Sequence, residues 1–164
     1  AGSFGHMSME LLKEMGKFDM QHVAYRGGVP AITDTLGGQV PMMYADLVAA
    51  LPHIKAGKLV PVAVGSPERV SVIPDVKTIS EQGIDGFAAV SLGALMGPKG
   101  MPSAVVERLN KEVKEILAMP DVQSRILGAG AIAKFMPAAD LQKSLEADYA
   151  KWGKVVKDKG MAVE

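Results

Sequence analysis

The chain has 164 residues, of which 48% are apolar, enough to build a domain with a sizeable core. Its 18 basic and 18 acidic residues balance without a basic cluster, so neither a nucleic-acid footprint nor a polybasic membrane anchor is expected. It contains no cysteine, which excludes a disulfide framework and cysteine-based metal chemistry, and no apolar run approaches the ~20 residues that span a bilayer.

The first stretch, AGSFGHMSMELLKEMGK, places Gly2-Ser3 before a helical pattern whose Met7, Leu11, Leu12 and Met15 share one face. Ser3 is the expected N-cap. The first N–H groups of a helix lack internal partners and lie at the positive end of its dipole. Ser3, with the N–H groups of Phe4 and Gly5, is therefore a candidate carboxylate site, and His6 is placed to line it. An ordinary cap is the alternative at Ser3, as a packing role is at His6.

From His22 to Val76, three apolar segments, HVAY, QVPMMY and LVPVAV, recur at nearly even spacing. The first two are each followed by a pattern of helical period. Strand, helix, strand, helix, strand is the reading, an alternation that argues for a largely parallel sheet flanked by helices. Ligands of such sheets bind beyond the carboxyl ends of the strands. Those ends are Tyr25 to Gly28, Tyr44 to Asp46 and Gly65 to Ser66. Tyr25 can offer a hydroxyl to a ligand or pack as a rim residue on the next helix. Gly27 and Gly28 can let bare backbone approach a carboxylate, and Gly37-Gly38 is a helix stop. Asp46 is expected to cap the helix from Leu47 to about Ala56, which Gly57 closes; a ligand contact is the alternative for it.

The passage SPERVSVIPDVKTISEQG is rich in turns, with a short helix near Thr78 to Gln82. Phe87 to Met96 reads as a buried strand. From Pro102 a helical face of Val105, Val106, Leu109, Val113, Ile116 and Leu117 runs to Pro120, followed by a short helix and a short strand, Ala131 to Met136. The last helix starts at Pro137, and Leu141, Leu145, Tyr149, Trp152 and Val156 recur along it, which makes Trp152 a core anchor. The 11 methionines do not cluster as metal ligands, and no motif calls for a cofactor.

The runs YRGGVPAITDTLGGQVPMMYADLVAALPHIKAGKL, RVSVIPDVKTISEQGIDGF, GPKGMPSAVVERLNKEV and YAKWGKVVKDKG closely resemble the Bug-type solute receptors of tripartite tricarboxylate transporters, in the family's order and spacing. The resemblance covers essentially the whole chain. It implies an α/β fold of the periplasmic-binding-protein type: a parallel-sheet second ligand-binding lobe over residues 1–90, then a crossing strand and C-terminal helices over 91–164 that return to a first, incomplete lobe. It also implies that the opening segment follows an N-terminal lobe. Ser91, on the crossing strand, becomes a candidate for both hinge and ligand contact. Three positions depart from the family's pattern. Val29 stands for a third glycine, Pro41 for an aspartate and Leu92 for an aromatic residue, and all three bear on which ligand is bound.

The function implied is capture of a small organic acid, a di- or tricarboxylate, in the periplasm, and its delivery to membrane permease subunits. A receptor that signals to a membrane sensor is the alternative. Catalysis is not expected, because Ser3 has no nucleophile-elbow context and no histidine is given a carboxylate partner. The apolar faces of the C-terminal helices, lacking their sheet, are expected to find cover by packing on each other, by retention of a cleaved N-terminal piece or, the favoured option, by exchange with a second copy in a homodimer.

Overall fold

A computed structural model of the chain describes residues 2–161. Six α-helices occur among them: α1 (Phe4–Gly16), α2 (Gly28–Leu36), α3 (Leu47–Lys55), α4 (Ser103–Ala118), α5 (Pro120–Gly128) and α6 (Ala138–Asp158), with a 3-10 turn at Ser80–Gln82. The chain divides into two compact units. One runs to Ser91 and resumes at Lys151, and the other comprises Leu92–Ala150.

Local chemistry sets the helix boundaries. Ser3 is extended at the N-cap of α1, and its hydroxyl accepts from the His6 N–H at 3.4 Å. At the end of α2, Gly38 takes φ +72°, a region that side chains other than glycine's rarely enter. This lets its N–H reach the Thr35 carbonyl at 3.2 Å and the Gln39 N–H reach Asp34 at 2.9 Å, the paired bonds of a Schellman motif. Gly57 ends α3 the same way, its N–H on Ile54 and that of Lys58 on His53. Pro120 separates α4 from α5 by opening the latter, where its missing N–H costs nothing.

In the first unit the core is Ile79, Phe87 and Ala89, packed by Phe4, Leu11, Leu12 and Met15 of α1 and by Tyr44, Ala63, Ile84 and Trp152. Ser8 and Glu10 of α1 are also buried, whereas Met7 is outside this cluster. Trp152 is the anchor that its periodicity suggests: its ring meets Phe4 edge-on at 5.7 Å. Lys151 lies over the indole at 4.5 Å and donates to the Ala88 carbonyl.

Among the described residues the segments expected as strands form no regular ladder: Val40, Pro41 and Leu59 lie in bends, and of Phe87 to Met96, expected as a buried strand, only Phe87 and Ala89 are buried. One parallel bridge joins Val64 and Thr78, with bonds of 3.0 Å from the Val64 N–H to Lys77 and from the Ile79 N–H to Val64. The Ala89 N–H adds a bond to Gly65 at 2.8 Å on the other side. Apolar alternation demands an extended backbone with one covered face; a ladder further requires a second extended segment alongside, which alternation does not supply.

A reciprocal cap fixes the turn beside this bridge. Thr78 Oγ1 accepts from the Glu81 N–H at 3.0 Å while Glu81 Oε2 accepts from the Thr78 N–H at 2.8 Å, the capping box of the TISE sequence. Arg69 then binds Glu81 through Nε and Nη2 at 2.8–3.0 Å, tying the preceding loop to it. In the second unit α4 packs on α5. Val105, Leu109 and Ile116 of α4 remain exposed.

Two outcomes are expected. Phe87→Ala, at a side chain only 1% exposed, should lower unfolding stability in urea by about 3–5 kcal/mol. Arg69 holds the Glu81 carboxyl down to about 2 from the ordinary 4.5, so its contribution is complete above pH 4.5 and is lost as pH falls towards 2. Glu81→Gln should flatten stability against pH in that window.

Candidate functional site

Tyr44 brings the start of α1 to the ends of the extended segments. Its ring meets Phe4 edge-on, with centroids 6.1 Å apart, and its hydroxyl donates to the Ala89 carbonyl at 2.9 Å. Two glycines admit it. A Cβ on Gly5 would stand 2.7 Å from the Tyr44 carbonyl oxygen, and one on Gly65 would overlap the Tyr44 hydroxyl. Burial pushes the phenol up to about 12, with Asp46 adding to the rise. The Ser8 hydroxyl opposes it; that group is buried beside Tyr44 but finds no hydrogen-bond geometry with any described residue.

Around this tyrosine the expected ligand residues fall into groups. Ser3, Phe4 and Gly5 form the opening turn of α1, where the Phe4 and Gly5 N–H groups precede the first intrahelical acceptor. The Phe4 side chain is partly buried and packs against the core cluster. Asp46, two residues beyond Tyr44, is exposed at the N-cap position of α3. Its carbonyl accepts from Ala49 and Ala50 at 3.1 Å, but its side chain makes no cap bond. Ser91 lies two residues beyond Ala89 and is exposed.

A second group sits at the start of α2. Tyr25 donates through its hydroxyl to Asp34 Oδ2 at 2.8 Å, which makes it a brace on the following helix. Gly27 is the N-cap of α2 at φ +105°, and the Cβ position of Gly28 faces open space. The two groups meet through His6 and His22, whose rings stack 3.7 Å apart at 8°. Two shallow grooves, one lined by Gln142, Leu145, Glu146 and Tyr149 and the other by Leu11, Glu14, Lys151, Lys154, Val155 and Asp158, include none of these residues. Tyr44 itself was not among the expected ligand residues. The available signal was its place at the end of QVPMMY, equivalent to that of Tyr25 at the end of HVAY.

The α1 start is capped by Ser3 whereas the α2 start has no side-chain cap, and no cluster of three or more His, Cys, Asp or Glu is placed to hold a metal among the described residues. A family model described as tripartite tricarboxylate transporter family receptor matches residues 1–161, and the chain belongs to that family of solute-binding receptors.

Among curated relatives, the protein in the tcbD-tcbE intergenic region of Pseudomonas sp. (strain P51) is 34% identical over 161 residues, 94% of this chain and 46% of its own. Three solved structures align over nearly all of the chain. The R. palustris protein Rpa4515 with adipate has a TM-score of 0.89 at 32% identity, covering 98% of this chain and 54% of its own. MatC from Rhodopseudomonas palustris with bound malate has 0.78 at 31%, covering 94% and 54%. The periplasmic binding protein BugD has 0.76 at 30%, covering 98% and 54%. The expected periplasmic-binding-protein fold is therefore the fold of its structural neighbours, and the chain spans about half the length of these relatives.

Tyr44→Phe should cost about 0.5–1.5 kcal/mol of stability by leaving the Ala89 carbonyl without its donor. The native protein should also lose stability as pH rises from the ordinary 10.0 towards 12, because the unfolded phenol releases its proton first. Absorbance of tyrosinate during alkaline titration checks this: the latest step should disappear in the variant.

Proposed function

We propose that this chain supplies part of the ligand site of a periplasmic receptor that captures a small carboxylate and delivers it to the permease subunits of a tripartite transporter. The observation that carries the reading is that two structures aligning over 98% and 94% of the chain hold adipate and malate, both small dicarboxylates. The opening turn of α1 offers matching chemistry. The Ser3 hydroxyl and the Phe4 and Gly5 N–H groups lie at the positive end of a 13-residue helix, where a carboxylate is favoured. Gly27 and Gly28 offer a second helix start with unobstructed backbone, His6 and Tyr25 lie next to these turns in the chain, and Asp46 and Ser91 complete the proposed set. Residues 1–90 serve as one ligand-binding lobe, with 91–164 crossing to the other. Closure of the lobes buries the acid and alters the surface shown to the membrane partner, so no covalent step is needed. The exposed Val105, Leu109 and Ile116 favour self-association of the isolated chain by exchange with a second copy.

Calorimetric titration of adipate and malate into the longer receptor tests the proposal. Ser3→Ala should weaken binding by about 1–2 kcal/mol, the scale of a hydrogen bond to a charged group. Unchanged affinity in a folded variant would remove Ser3 from the site, and absence of binding by any small dicarboxylate would overturn the ligand class.

A further inference from the structure

We propose that the stacked His6 and His22 imidazoles form an acid-sensitive clasp, which ties the start of α1 to the segment preceding α2 and opens when both rings are protonated. Imidazole is the side chain whose ordinary charge change falls between about pH 5 and 8. Neutral rings 3.7 Å apart and nearly parallel present flat faces to each other; charged, they place two cations at the same separation.

The surroundings of His6 oppose a proton further. Its Nδ1 accepts from the Gly2 N–H at 3.2 Å, a bond that requires the nitrogen's lone pair. Its Nε2 lies 4.0 Å from Glu10 Oε1, the one acid facing it among the described residues, and that oxygen already accepts from Lys13 Nζ at 2.9 Å. Lys13 also reaches Asp19 at 3.4 Å. Burial holds the His6 imidazole below its ordinary range, followed by the charge of His22; Glu10 acts in the opposite sense, and Lys13 reinforces the lowering. The closed arrangement therefore binds fewer protons than the open one, so it is complete above the ordinary 6.5 and is lost as pH falls below that value.

The clasp rests on ring geometry and is tested without ligand, because His6 also borders the proposed carboxylate turn. Its consequence is conformational. His22 stands three residues before Tyr25 and five before Gly27, the N-cap of α2, so the stack couples the two helix starts across a segment that forms no ladder.

Proton NMR on the 164-residue chain tests the clasp, with spectra at about pH 7.5 and 5.5 bracketing histidine titration. The cross-relaxation signal between the His6 and His22 rings should be present at the higher pH and lost at the lower, while that between Phe4 and Trp152 persists. His22→Phe, flat but uncharged, should retain its contact with His6 at both pH values, and in His22→Gln the His6 ring should titrate at higher pH than in the native chain. A ring–ring signal that survives with both histidines charged would overturn the proposal. So would an unaltered His6 titration in a folded His22→Gln variant, which also decides the matter should His22→Phe not fold.

Discussion

Insertion of Tyr44 between the start of α1 and the Gly65 and Ala89 backbone is the constraint on which the first unit depends. The side chain is polar at its tip and aromatic along its body, and both parts are used: the ring buries an edge contact with Phe4 while the hydroxyl satisfies the Ala89 carbonyl. Such a wedge needs room on both sides. Gly5 and Gly65 provide it by lacking a Cβ where one would meet the Tyr44 carbonyl or hydroxyl. Phe4 passes the contact on to Trp152, so the last turns of α6 are held to α1 through the same aromatic series.

This arrangement fixes the opening turn of α1 against the core. The Phe4 side chain packs against the core cluster and so orients that turn. The capping box at Thr78 and Glu81 does comparable work at the bridge, by stabilising a turn whose only ladder contact is with Val64.

Burial separates the two units. Phe87, Ala89 and Ile79 are enclosed in the first, whereas the apolar residues of α4 in the second retain substantial exposure although their helical period is regular. Amphipathic periodicity is sufficient to form a helix with an apolar stripe; it does not identify the surface that covers the stripe.

Much of this protein is legible from short-range chemistry. Ser3 as a cap, the glycines that end α2 and α3, Pro120 between two helices and Trp152 as an anchor follow from hydrogen-bonding capacity, accessible φ and side-chain period, all properties of neighbouring residues. The family was legible as well, because its glycine, proline and lysine landmarks stand in characteristic order along nearly the whole chain. What required the tertiary structure were relations between distant positions. The Tyr44–Ala89 bond spans 45 residues, His6 meets His22 across the rest of α1, and Asp46 occupies a cap position without making the cap bond. Whether the extended segments become a sheet is of the same kind. Local sequence determines that a backbone is extended, whereas a ladder depends on which segment lies alongside it, a matter of three-dimensional adjacency that no local pattern encodes.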